Sequence, residues 1–140
     1  MTDPNDFNRR TIEEFRANGG KVGGMFKGMS LLLLHHTGAK SGVERINPLA
    51  YQQVGDAVAV FASKGGAPTN PDWFHNLVAH PNASIEIGRD RYPVTARIAT
   101  GKERERIWNA QKAAYPTFGE YEAKAGRPIP VIVLERASPK

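Results

Sequence analysis

The stretch Thr37-Gly38-Ala39-Lys40-Ser41-Gly42-Val43-Glu44-Arg45 brackets a Lys-Ser pair with two glycines and follows it with a second cation. A loop of this kind can turn successive backbone N–H groups towards an anion. Lys40 and Arg45 would then add charge-assisted hydrogen bonds, each worth roughly 1.5–3 kcal/mol. The same residues also make an ordinary surface turn, and spacing alone does not separate the two readings. The Walker pattern G-x-x-x-x-G-K-[ST] is absent, so the loop is not of the P-loop type. A second stretch, Ala62-Ser63-Lys64-Gly65-Gly66, precedes Pro71, Trp73 and Asn76. Its double glycine lets a flat ligand approach the backbone, and Ser63 and Lys64 could donate to ring carbonyls. The plainer reading is a glycine-rich loop leading into a helix, with Trp73 as core. A third group, Tyr115, Phe118 and Tyr121, repeats every three residues and shares one helical face. These rings either wall an apolar substrate pocket or pack a terminal helix on the core.

Other chemistries find little support. His35 and His36 are adjacent in a strand-like run, so they point to opposite faces and do not chelate a metal together. His75 and His80 miss the facing i,i+4 spacing. No metal site is expected. There is no G-x-S-x-G elbow for serine hydrolysis and no aromatic RNP box for RNA binding. With zero cysteines, disulfides and thiolate metal sites are excluded.

The elements that must position these groups follow from periodicity and turn residues. Residues 8–17 read as a short helix with Ile12 and Phe15 on one side. A glycine-rich segment follows to residue 28 and reads as flexible linker. Residues 30–37 form a short apolar run, expected as a buried strand. Residues 45–54 and 57–63 flank a Gly55-Asp56 hairpin turn, with Pro48 expected at an edge or bulge. Asn70 and Pro71 read as N-cap and first position of a helix that Pro81 stops. Residues 83–88 and 91–99 read as two more strands. Thr100 and Glu103 match a capping box that opens a helix to about residue 114. Another short helix after Pro116 and a last strand over 129–136 complete the chain. About six hairpin-linked strands with helices between them predict an α+β fold around a closed or partly closed antiparallel barrel. Residues 1–28 are expected as an N-terminal appendage and 29–140 as the barrel domain.

The chain has 140 residues and a formal net charge of +5. That surplus suits polyanions in general, including nucleic acid, acidic lipid and phosphorylated small molecules. No run is long and apolar enough to span a bilayer, and the polar N-terminus is no signal peptide. A cytoplasmic location is expected.

Three segments, TGAKSGVERINPLAY (37–51), FASKGGAPTNPDWFHNLVAHP (61–81) and AYPTFGEYEAKAGRPIPVIVL (114–134), resemble the deazaflavin-dependent nitroreductase family of coenzyme F420-dependent reductases. The resemblance implies a split β-barrel related to flavin-binding pyridoxine-phosphate oxidases. It implies that Ala39, Lys40, Ser41, Gly42 and Arg45, with the neighbouring backbone, hold the cofactor phosphate. Ile46, Asn47, Pro48, Leu49 and Ala50 and the loop Phe61-Ala62-Ser63-Lys64-Gly65 would line the deazaflavin ring. Asp72, Trp73 and Asn76 would close the other side. Tyr115, Phe118 and Tyr121 would face the substrate, with Tyr121, Ser63 or solvent supplying a proton. Ala39 stands where the family often has Arg, and Phe118 where the nitroreductase that names the family has Tyr. The implied reaction is hydride transfer from reduced F420 to a quinone, enone, unsaturated lactone or nitro compound. FMN is the alternative cofactor, and a non-catalytic F420 carrier the alternative role. Barrels of this kind often pair, so a homodimer is an open expectation. Nucleic-acid binding is not expected, and membrane contact is at most weak and peripheral, through the N-terminal helix.

Overall fold

A computed structural model of the chain describes residues 4–20, 30–63 and 66–137. The elements are α1 (Pro4–Ala17), β1 (Leu31–Thr37), β2 (Glu44–Val54), β3 (Ala57–Phe61), α2 (Asp72–Ala79), β4 (Asn82–Ile87), β5 (Asp90–Ile98), α3 (Gly101–Ala114), α4 (Thr117–Ala125) and β6 (Val131–Arg136). The strands close into a barrel in the order β1-β2-β3-β6-β5-β4, and β4 returns to β1. Every neighbouring pair is antiparallel. Closure gives every strand a neighbour on both sides, although the pairing does not run the full length of each strand. Lys64, Gly65 and residues 21–28 of the glycine-rich segment lie outside the described residues.

Alternation along each strand sorts the core into two sides. Leu32, Leu34, Val58, Val60, Ile85, Val94, Ile132 and Leu134 meet inside the barrel. Trp73 and Leu77 of α2 join them and stopper that interior. Outside, Ala59, Phe61, Val131 and Val133 pack against Ile107, Trp108, Phe118 and Ala125 of α3 and α4. Leu31 and Leu33 pack under Phe15 of α1. β1 and β6 are therefore covered on both faces, which explains their unbroken apolar runs, LLLL and VIVL.

The barrel occupies the apolar side of α1. Phe15 is fully buried, and Ile12 packs beside it. That is the side of the helix to which at most weak, peripheral membrane contact was assigned. At the helix end, Arg16 forks onto Glu86 of β4 at 3.2 and 2.7 Å. Glu86 also meets His35 Nε2, and His35 Nδ1 faces Glu44. The Arg16 hydrogen bond, assisted by His35, holds the Glu86 carboxyl below the usual carboxylate range. A lowered carboxyl adds stability above its unfolded value and loses it as pH falls through the folded value. Glu86→Gln is therefore expected to cost about 1–2 kcal/mol near neutral pH. The gap from the parent should close below about pH 4, as thermal melts across pH would read. A constant gap down to acid would show that the carboxylate charge is not the source.

Several local expectations change in detail. α1 begins at Pro4, earlier than residue 8. α2 takes Pro71 as its N-cap and starts at Asp72, with no side-chain cap. The Asn70 side chain is turned away to accept from Arg127 Nη1 at 2.6 Å. Thr100 does cap α3, but without a side-chain bond. The Glu103 carboxylate meant for the capping box is instead forked by Arg97 at 2.6 and 2.8 Å. In both cases an arginine offers a stronger, charge-assisted partner. Pro48 lies where β2 pairs with β1 through Leu33, while the β2–β3 register begins only at Tyr51. The opposite edge of β2 is unpaired there, so its missing N–H breaks no ladder.

Candidate functional site

The chain leaves β1 at Thr37 and re-enters the sheet at Glu44. In between, Gly38 N–H donates to Val43 O and Gly42 N–H to Gly38 O, each at 2.9 Å. Gly42 sits at φ 71°, a left-handed conformation that favours glycine. A Cβ at Gly38 would lie 2.4 Å from Ser41 Oγ, so any larger residue there would force the serine hydroxyl to turn away. Ser41 Oγ accepts from Val43 N–H at 3.2 Å, which leaves its hydroxyl proton free to donate outward.

This loop faces the start of α2 across a pocket of about 520 Å³ lined by Gly38, Ala39, Lys40, Ser41, Arg45, Asp72, His75 and Asn76. Six expected residues thus come together around one space: Ala39, Lys40, Ser41, Arg45, Asp72 and Asn76. Gly42 shapes the loop and does not line the pocket. His75 was not expected, yet its signal was present. It stands three residues after Asp72, a spacing that brings the two onto neighbouring positions of the helix surface.

The pocket wall is tied to the barrel by buried polar groups. Ala39 N–H donates to Asn76 Oδ1 at 2.9 Å. Asn76 Nδ2 lies 3.1 Å from His36 Nδ1, and His36 Nε2 lies 2.7 Å from Asn47 Oδ1. Burial, the largest effect, pushes the His36 imidazole below its usual range, against the opposing pull of Asn47. Asn47 therefore serves as a support for His36. His36 itself was missed, although alternation after Leu32 and Leu34 already turns it inward.

The other expected residues stand elsewhere. Trp73 and Leu49 pack into the barrel interior, so Trp73 is core rather than a wall of this pocket. Pro48 and Ala62 are buried. Ile46 and Ala50 pack beneath α1. Phe61 and Phe118 are buried together, ring centroids 5.6 Å apart. Tyr115, the C-cap of α3, and Tyr121 of α4 flank Phe118 at 6.4 and 5.5 Å, so the three rings gather in space without sharing one helical face, because the chain breaks between two helices at Pro116. They lie around the outer core, and none of them lines the pocket. Ser63 is buried, and its carbonyl accepts from Gly66 N–H at 2.9 Å.

Arg127, which no sequence pattern marked, fixes the loop that carries Ser63. Its guanidinium donates to Ala67 O, Asn70 Oδ1, Ala62 O and Thr69 O at 3.2, 2.6, 3.2 and 2.8 Å. Only an arginine presents enough donors in one plane for such a set.

Two cations, a serine hydroxyl, a turned loop and the start of a helix converge on a space of phosphate-and-more size. That donor set fits an anionic ligand. Residues 7–136 match the model of the F420H(2)-dependent quinone reductase family. The chain belongs to that family. An F420H(2)-dependent quinone reductase of Mycobacterium tuberculosis strain H37Rv is 38% identical over 126 residues, which cover 87% of this chain and 85% of that protein. A solved F420-H2 dependent reductase (FDR-A) is 42% identical with a TM-score of 0.69, covering 75% of this chain and 93% of that one. A further solved structure, described as a domain-swapped dimer, is 37% identical with a TM-score of 0.71 and covers 95% of this chain and all of that one. The family makes this chain an oxidoreductase dependent on reduced F420. The expected split-barrel α+β architecture agrees with the closed six-stranded barrel.

Proposed function

We propose that this chain is a reductase that takes hydride from reduced F420 to a quinone or a similarly electron-poor acceptor, with the cofactor phosphate held in the pocket beside Lys40, Ser41 and Arg45. The observation that carries the assignment is the convergence of those three residues with Asp72, His75 and Asn76 around one space. Lys40 and Arg45 balance the negative charge of the ligand. The Ser41 hydroxyl donates to a phosphate oxygen. The Asp72 carboxylate, on the same pocket wall, would accept hydrogen bonds from hydroxyl groups of the ligand. Ser63 and the backbone that Arg127 holds in place would line the ring. Reduced F420 supplies the hydride when bound; the chain supplies orientation and polarity. The partly buried Tyr115 and Tyr121, packed on Phe118, offer an apolar rim with hydroxyl tips for the acceptor.

The 37% identical neighbour described as a domain-swapped dimer supports pairing of this chain into a homodimer. No helix among the described residues is long and apolar enough to cross a membrane. A cytoplasmic enzyme is the simplest setting for a chain of this family.

The test is a titration of the purified chain with oxidised and reduced F420 and with FMN, followed by turnover on a quinone panel. Expected are F420 binding without appreciable FMN binding, and oxidation of reduced F420 only when quinone is present. A chain that retains FMN and ignores F420 would overturn the proposal. Tight F420 binding with no acceptor reduced would leave a carrier.

A further inference from the structure

Asn76 offers one oxygen and one NH2 group, and the two ends are committed to different partners. Oδ1 accepts from Ala39 N–H at 2.9 Å, so Nδ2 must be the end that meets His36 Nδ1 at 3.1 Å. A donor at Nδ2 requires a bare Nδ1. The single ring proton then sits on Nε2, where it is donated to Asn47 Oδ1 at 2.7 Å. All three of these contacts set a donor against an acceptor only in that one tautomer. His36 and Asn76 are 2% and 7% exposed, so water cannot readily replace a lost partner.

We infer that His36 is a positioning residue of the pocket: its neutral ring orients the Asn76 amide, and through it the Ala39 backbone at the mouth of the cationic loop. A proton on Nδ1 would confront the Asn76 NH2 donor to donor. Turning the amide over would relieve that clash but would set the NH2 group against Ala39 N–H. Either way one contact is lost, and Ala39, the residue next to Lys40, is released. The groups facing the ring are Arg45 from β2, His35 from its own strand and Asp72 from α2. Arg45 and His35 disfavour a second ring proton, and Asp72 favours it, with burial as the larger influence. The neutral form therefore persists to below the ordinary histidine range, and the loop contact fails as pH drops through that lower value.

The inference rests on reading the pocket as the phosphate site, and two readouts separate the layers. The first needs no ligand: the protection of the Ala39 amide against hydrogen exchange in the free protein, relative to its intrinsic rate at each pH. It should hold through neutral pH and fall only below about pH 6 in the parent. In His36→Phe it should be low throughout. The second is F420 affinity by fluorescence titration over the same range. The parent should lose about tenfold on acidification, the equivalent of one hydrogen bond. His36→Phe should be weakened about as much at neutral pH and show a flat profile. His36→Gln, whose amide carries an acceptor and a donor but does not titrate, should recover most of that loss and stay flat. If His36→Phe fails to fold, the His36→Gln profile still decides. Affinity that rises on acidification, as simple attraction between an imidazolium and an anion would give, overturns the inference. So does a pH dependence that survives in His36→Gln, which would point to His75 instead. If removing Lys40 and Arg45 leaves F420 affinity untouched, the phosphate reading fails, while Ala39 protection still judges the histidine.

Discussion

Replacing Lys40 and Arg45 together with alanine is expected to weaken F420 binding by about a hundredfold to a thousandfold. The two side chains line the same pocket, Lys40 from the loop and Arg45 from the start of β2. Each offers a charge-assisted hydrogen bond, worth roughly 1.5–3 kcal/mol when fully formed, and exposure to solvent reduces that figure. Both are exposed, so their removal opens no cavity in the core, and the melting temperature should hardly move. Each single replacement should give a smaller loss, with Arg45 the larger because its planar fork can engage two phosphate oxygens at once. The salt dependence supplies a second handle. Parent affinity should fall as ionic strength rises, and the double variant should show a much shallower slope. Equal affinity in parent and variant at moderate salt would remove the anion from this loop and leave the pocket without a proposed ligand.

Much of this architecture was legible because strand pairing and burial leave regular marks. The unbroken apolar runs at 31–34 and 131–134 belong to strands covered on both faces, and the Gly55-Asp56 pair marks a true hairpin. Helix starts were located to within a residue at Asp72 and Gly101, yet the capping side chains were misassigned. Asn70 and Glu103 have good local partners in sequence, but Arg127 and Arg97 reach them through the fold and bind more strongly. A local motif cannot register a competitor brought in by topology. The candidate site shows the same division. Lys40, Ser41 and Arg45 lie close together in the sequence, and Asp72 and Asn76 share one helical face, so each half could be read separately. That the halves face each other across one pocket depends on β1 and α2 meeting through His36 and Asn76, which only the folded chain displays. The resemblance implied Trp73 at the ligand with Asp72 and Asn76, while the plainer reading of the sequence made it core. A helix turns about 100° per residue, and that single step carries Trp73 into the barrel interior instead.

The aromatic triplet presents the sharpest choice between a packing role and a binding role, and Phe118→Ala separates them. Phe118 is 5% exposed and sits edge-on or tilted to four rings: Phe61 at 5.6 Å, Trp108 at 6.2 Å, Tyr115 at 6.4 Å and Tyr121 at 5.5 Å. It is the hub through which α3 and α4 grip the outer wall of β3 and β6. Truncating a buried phenylalanine to alanine costs about 3–5 kcal/mol. In a chain of this size that lowers the melting temperature by roughly 10 °C or more. Phe118→Leu keeps most of the volume and should cost about 1–2 kcal/mol, with F420 affinity unchanged. The nitroreductase that names the resembling family has Tyr at this place, and Phe118→Tyr would bring a hydroxyl into this apolar setting. Without a partner that group costs about 1–3 kcal/mol; with one, the ring can stay and the cost largely disappears. Acceptor kinetics then assign the role. If Phe118 acts by packing, Phe118→Leu raises the KM for quinone only as far as Tyr115 and Tyr121 shift, and kcat is preserved. A Phe118→Ala protein that melts with the parent and loses only quinone turnover would reverse the assignment, and would place the ring against the acceptor rather than in the wall behind it.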